Sequence, residues 1–361
     1  MCRSWPALEK LNLQHTDCTD DDIVAVARHC PRVTTLAIEY GCGKLTVPEA
    51  QRRNTPATLQ YYKALRDKAV TSTVVKAVFM GEGMAGKTSL FRALATLREG
   101  DDEDDRSAAA AAAGGGGGGG GGTAGHGASP VLTAPDERTI AMDLEVLWET
   151  FLLYDMGGQS VYPPCQAPFL TPGALFVVVL DLSRGLEYCT KSMVGQLETL
   201  MSRVPDAIAM VVGTKADAVP EDAGGLRALL GKLEDARRAW LAKVHDAVRA
   251  LPPPPSPRHG AFVAVASGRI SAPRMQGPIF AVSAKTAGEP LRDLKRFMLD
   301  LLHATEGEEG AGSRGGPRLF PRYGEPIPLV YEQVRAVVIA TIYGEDPKQR
   351  LAQVGVAGGV A

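Results

Sequence analysis

The chain alternates between short, mostly apolar runs and longer segments whose apolar positions recur every three to four residues. "VVKAVFM" (74–80) is the first such run, and "KTSLFRALATLRE" (87–99) follows with helical spacing. A buried strand leading into an amphipathic helix is predicted there. "MDLEVL" (142–147), "FLLYD" (151–155), "ALFVVVLDLS" (174–183), "AIAMVVG" (207–213) and "IFAV" (279–282) read as further strands. "LRALLGKLEDARRAWLAKVHDAVRAL" (226–251) and "EPLRDLKRFMLDLLHAT" (289–305) are helical by period. Strands alternating with helices predict an α/β domain with a mostly parallel, six-stranded sheet covered on both faces.

Each strand end carries candidate chemistry. "GEGMAGKTS" joins the first strand to the first helix as Gly81, Glu82, Gly83, Met84, Ala85, Gly86, Lys87, Thr88 and Ser89. The spacing G-x-x-x-x-G-K-T is that of a phosphate loop. Glycines let backbone N–H groups curl around a β-phosphate, and the helix aims its N-terminus at the anion. Lys87 would bridge β- and γ-phosphates, and the Thr88 hydroxyl would ligate Mg²⁺. "DMGGQ" then ends a strand with Asp155, Gly158 and Gln159. Asp155 is the expected Mg²⁺ carboxylate, the Gly158 N–H senses the γ-phosphate, and Gln159 orients the attacking water.

The base comes from two later segments. "TKAD" supplies Thr214, Lys215 and Asp217, whose carboxylate can accept from guanine N1–H and the 2-amino group together. Adenine offers no such pair of donors. "SAK" supplies Ser283, Ala284 and Lys285, where a backbone N–H can meet guanine O6. Four motifs in order, each at a strand's C-terminal end, predict GTP and GDP as ligands. A further threonine should complete the Mg²⁺ shell. Thr139, directly ahead of "MDLEVL", is the first choice and Thr133 the competitor.

Composition narrows the setting. Lys and Arg number 39 against 41 Asp and Glu, a net charge of −2, a balance that does not point to nucleic acid or an acidic membrane surface as the main partner. The cysteines (Cys2, Cys18, Cys30, Cys42, Cys165, Cys189) form no CxxC pair, and the six histidines show no metal-ligand spacing. With no signal peptide or membrane-length apolar run, a cytoplasmic location with reduced thiols is expected. Residues 100–130 run from acidic to polyalanine to polyglycine, a composition that cannot bury enough apolar area to fold.

"FLLYDMGGQSVYPPCQAPFLTPGALFVVVLDLS" resembles the Roc GTPase domain of Roco proteins, a P-loop, Ras-like fold, in which threonine also occurs at the Thr214 position. The resemblance covers 72–305 and implies a switch with slow intrinsic hydrolysis. Upstream, Pro6, Leu8, Leu11 and Leu13 recur as Pro31, Val33, Leu36 and Ile38, a shift of 25 positions. That period resembles a leucine-rich repeat, and Thr19 with Asp22 makes a capping box for the helix between. Residues 1–44 are therefore expected as a repeat remnant and 45–71 as a linker. "GEPIPLVYEQVRAVVIATIYGEDP" resembles the opening of a COR domain, the dimerisation module that follows Roc, within 306–361. The chain is expected to be a truncated member. The resemblance implies protein partners on the repeats and a COR-mediated homodimer. No kinase signature is present. Two alternatives stay open: a GTP-loaded scaffold with negligible hydrolysis, and a P-loop ATPase, which Asp217 and "SAK" disfavour.

Overall fold

The computed structural model describes residues 7–16, 18–38, 45, 47, 52, 54–97, 142–156, 170–204, 206–219, 225–250, 271–285, 288–305, 318–343 and 345–357. They belong to two compact units, Val74–Phe320 and the combination of Met1–Thr73 with Pro321–Ala361. No helix among the described residues is long and apolar enough to cross a membrane.

The first unit opens with β1 (Lys10–Asn12), α1 (Asp20–His29) and β2 (Thr35–Ala37). β1 and β2 pair in parallel with Lys10 opposite Thr35 and Leu11 opposite Leu36, so the register offset equals the 25-residue sequence period. Asp22 caps α1 as its spacing predicts, accepting from the Thr19 backbone N–H and hydroxyl at 2.9 Å each. These two bonds hold its carboxyl below the usual carboxylate range.

Within the stretch 45–71, expected as a linker, residues 54–71 are described throughout. They carry α2 (Thr55–Asp67), capped by Asn54 on the Ala57 N–H, and β3 (Ala69–Thr71). Thr58, Tyr61 and Tyr62 turn one helical face into the core formed by Ile23, Val33, Leu36 and Ile38. The Thr55 hydroxyl accepts the Leu36 N–H at 2.8 Å, and the Tyr62 hydroxyl donates to Asp20. Burial with this acidic partner raises the Tyr62 pKa.

The second unit holds β4 (Val75–Met80), α3 (Lys87–Ala95), β5 (Met142–Leu147), β6 (Phe151–Met156), β7 (Leu175–Asp181), α4 (Gly185–Arg203), β8 (Ile208–Thr214), α5 (Gly225–Arg249), β9 (Arg274–Met275), β10 (Phe280–Ala281) and α6 (Glu289–Leu301). The sheet runs β10-β8-β7-β4-β6-β5, with β9 also beside β8. Among the described strands of this sheet, only β5 is antiparallel.

Six strands were expected; among the described residues a seventh, β9, forms just ahead of the expected last strand, which is present as β10. β9 pairs with Ile208 and Ala209, and β10 with Val212 and Gly213. Gly277, at φ 63°, and Pro278 break the ladder between them.

β7 and β8 are buried along their whole length, which is why they read as unbroken apolar runs. On one face, Cys189, Met193, Leu197 and Leu200 of α4 pack on Val78, Phe176, Val178 and Val211, with Leu233 of α5. Each such large side chain contributes about 1.5–3 kcal/mol relative to exposure. Alternate residues, among them Phe79, Val177 and Val179, turn to the opposite face and are equally buried. There α3 meets β6 and α6, and α6 meets β10.

The chain returns to the first unit through β11 (Pro326–Pro328), antiparallel to β3 with Ile327 opposite Val70. α7 (Leu329–Tyr343) follows, seating Tyr331 edge-on against Tyr61 of α2, and then α8 (Pro347–Ala357).

Candidate functional site

Because β4, β6, β7, β8 and β10 run in parallel, their C-terminal ends open on one edge of the sheet. From β4 the chain moves to β6 on one side, and afterwards to β7 and β8 on the other. The loop leaving β4 therefore lies where strand order reverses, the place where open α/β sheets bind ligands.

That loop, Gly81 to Gly86, is shaped by close approach. At φ 154°, Gly81 passes so near β7 that a Cβ would sit 2.3 Å from the Val179 carbonyl oxygen. Gly86 is left-handed at φ 85° and N-caps α3, and a Cβ there would make a tight 3.2 Å contact with the Thr214 hydroxyl. Among the described residues, the backbone N–H groups of Gly83, Met84, Gly86 and Lys87 donate to no other backbone carbonyl. They form a set of donors at a helix N-terminus, suited to an anion.

Lys87 is 6% exposed and folds into the loop, its ammonium donating to the Gly81 and Glu82 carbonyls at 3.1 and 3.0 Å. Burial pulls its pKa below 10.5 against the opposing charges of Asp155 and Glu82. Asp155, buried at the end of β6, accepts from the Thr88 hydroxyl. Among the described residues no three His, Cys, Asp or Glu side chains gather as a metal site would. The donor set that does form, one carboxylate and one hydroxyl, fits Mg²⁺, which is held by one or two carboxylates together with phosphate oxygens.

At the end of β8, Thr214 is buried and its hydroxyl meets the Ala85 carbonyl oxygen at 2.5 Å and that of Leu180 at 3.0 Å. Lys215 stands at φ 56°, with its ammonium on the Met84 carbonyl at 3.0 Å and on Asp181 Oδ2 at 2.6 Å. Asp217 Oδ2 meets Lys285 Nζ at 2.5 Å. That bond, followed by one from the Ser283 side chain, holds the Asp217 carboxyl below the usual range. The segments are also tied by their backbones, since Ala216 N–H donates to Val282 O at 3.2 Å and Val282 N–H to Gly213 O at 2.8 Å. Ala284 is buried behind them.

The edge thus gathers the loop from Gly81 to Ser89, Asp155, Thr214, Lys215, Asp217, Ser283, Ala284 and Lys285. Gly158, Gln159, Thr139, Thr133 and the insert 100–130 lie outside the described residues. Motif reading missed Asp181, the buried partner of Lys215. Its one sequence signal is a charge ending an otherwise apolar strand.

No protein-family profile matches the chain. It is 40% identical over 72 residues to the malignant fibrous histiocytoma-amplified sequence 1 homolog of Mus musculus, spanning 20% of this chain and 7% of that protein. The Homo sapiens malignant fibrous histiocytoma-amplified sequence 1 is 37% identical over 99 residues, 27% of this chain and 9% of that one. The matched region is less than a tenth of either relative's length. Among solved structures, the RocCORdC fragment of Methanosarcina barkeri Roco2 bound to GDP superposes with a TM-score of 0.39 at 14% identity, covering 80% of this chain and 67% of that one. The bacterial selenocysteine-specific elongation factor EF-Sec gives 0.34 at 14% identity, covering 64% and 29%.

Proposed function

We propose that residues 72–305 bind GTP and GDP with Mg²⁺ and hydrolyse GTP slowly, as a conformational switch. The observation that carries this is the Lys215 ammonium on the Met84 carbonyl, which ties the base-reading segment "TKAD" to the phosphate loop. In this reading the loop amides and Lys87 hold the phosphates. Thr88, Asp155 and Thr139 hold Mg²⁺, which when bound neutralises charge on the β- and γ-phosphates. Asp217 accepts from the guanine edge, Lys285 and Ser283 orient it, and the Ala284 backbone faces O6. Gly158 senses the γ-phosphate and Gln159 orients water.

We further assign residues 1–44 to a leucine-rich-repeat remnant, which the 25-residue register of β1 on β2 supports, and 45–71 to the linker that follows it. The tail 306–361 is assigned to the start of a COR-like module, with protein partners and dimerisation in the cytoplasm as its proposed setting.

Identification of the nucleotide that co-purifies under gentle conditions, followed by single-turnover assays with GTP and ATP, tests the assignment. Guanine nucleotide and measurable GTP cleavage are expected. Recovery of adenine nucleotide would overturn the base assignment, and bound GTP without cleavage would leave a scaffold. Gln159→Leu should leave GTP affinity intact while slowing single-turnover cleavage at least about tenfold, because only water positioning is lost. An unchanged rate would remove Gln159 from the site.

A further inference from the structure

Asp181 belongs to none of the sequence motifs, yet several of the site's hydrogen bonds converge on it. β7 ends on this residue, and its backbone lies opposite Thr214 in the ladder with β8. The side chain is 7% exposed. Oδ1 accepts from the Ser183 N–H at 3.2 Å and the Ser183 hydroxyl at 2.5 Å, and Oδ2 meets Lys215 Nζ at 2.6 Å. Behind it, the buried Cys189 thiol donates to the Asp181 carbonyl at 3.1 Å. The anion is therefore fixed at its backbone and at both carboxylate oxygens.

Lys215 is the residue that needs fixing. An ammonium on a four-carbon stem is a mobile point charge, and holding it in one place requires a rigid partner. The bond it makes to Met84 joins two left-handed residues, Met84 at φ 66° and Lys215 at φ 56°. Side chains with a Cβ adopt that region only when their surroundings hold them there.

We infer that Asp181 is a positioning residue of the nucleotide site: by clamping the Lys215 ammonium against the Met84 carbonyl, it locks the base-reading segment 214–217 to the phosphate loop. The inference rests on the guanine-nucleotide reading given above. Asp181 acts through Lys215, so its loss loosens the base and the α- and β-phosphates together. The γ-phosphate contributes nothing to this link, and GTP and GDP should suffer alike.

Asp181→Asn keeps an acceptor for Ser183 and removes the charge that holds Lys215. In displacement of a fluorescent nucleotide from the full chain, release of GDP and of GTP should both accelerate about tenfold, the scale of one lost charge-assisted hydrogen bond. Lys215→Ala should accelerate release at least as much, and the double variant should match Lys215→Ala alone, since Asp181 acts only through the lysine. Additive effects in the double variant would overturn the inference, because Asp181 would then act by supporting the turn that follows β7. So would unchanged release from Asp181→Asn when the wild type binds GDP. If Asp181→Asn does not fold, Ser183→Ala carries the same test, with release faster by about threefold expected from a loosened carboxylate and no change overturning the proposal. A wild-type chain that binds no guanine nucleotide fails differently: it removes the reading of the site, and this inference with it.

Discussion

Lys87→Ala is expected to abolish tight nucleoside triphosphate binding without unfolding the protein. In the described loop, Gly81 to Gly86, no side chain other than the Lys87 ammonium that follows it brings positive charge inside, and that ammonium already lies on the Gly81 and Glu82 carbonyls. Removing one partner of a desolvated charge pair costs about 2–5 kcal/mol, which corresponds to some 30- to 5,000-fold in affinity.

The nucleotide-free chain should respond in the opposite sense. A lysine whose pKa falls on folding binds its proton more weakly in the native state. Its charge therefore costs stability below the folded pKa, and the cost fades as pH rises toward 10.5. Lys87→Met keeps the apolar stem and removes the cost, so its thermal midpoint near neutral pH should equal or exceed that of the wild type. Titration calorimetry with GTP and a melting curve on each variant check both halves. Near-native GTP affinity in Lys87→Ala would sink the phosphate-loop assignment. A lowered midpoint in Lys87→Met would mean that the buried ammonium is a structural element of the nucleotide-free loop.

What the sequence revealed, and what it hid, follows from the range of the interactions. β7 and β8 were legible because burial on both faces demands a run of six apolar or small residues in each, ahead of the terminal Asp181 and Thr214. β9 was not legible, since its two residues, Arg274 and Met275, carry no period and no apolar run. α2 was hidden by its polar composition, although Thr58, Tyr61, Tyr62 and Leu65 stand at helical spacing and the first three are buried.

In the site, the loop was legible because its constraint is local: Gly81 must pass Val179 and Gly86 must turn left-handed. Thr214 was legible only as part of "TKAD", whereas its hydroxyl holds the Ala85 carbonyl 129 residues away in sequence. Asp181 was missed for the same reason. Its partner stands 34 residues further on, and no local spacing marks the pair.

Asp217→Asn should exchange the base preference of the site. Asp217 is ionised and acceptor-only, with Lys285 and Ser283 holding its carboxyl below the usual range. Guanine matches it by presenting N1–H and the 2-amino group side by side, and the match should persist to mildly acidic pH because the carboxylate stays charged there. An asparagine amide places an N–H where the base needs an acceptor, and it leaves Lys285, now at 2.5 Å from the carboxylate, without its counter-charge. Loss of a charge-assisted pair with donors left unmatched costs about 2–5 kcal/mol, so GTP affinity should fall by at least about 30-fold. Xanthine carries a carbonyl where guanine has its 2-amino group, so the same variant should gain affinity for xanthosine triphosphate. The exchange follows from donor–acceptor matching at position 217 and asks nothing of Thr214, whose hydroxyl is committed to the phosphate loop and to β7. Competition among GTP, xanthosine triphosphate and ATP on wild type and variant measures it. Preference of the wild type for ATP, or loss of GTP in Asp217→Asn with no gain of xanthosine triphosphate, would make "TKAD" an ordinary loop whose ion pair with Lys285 serves the fold alone.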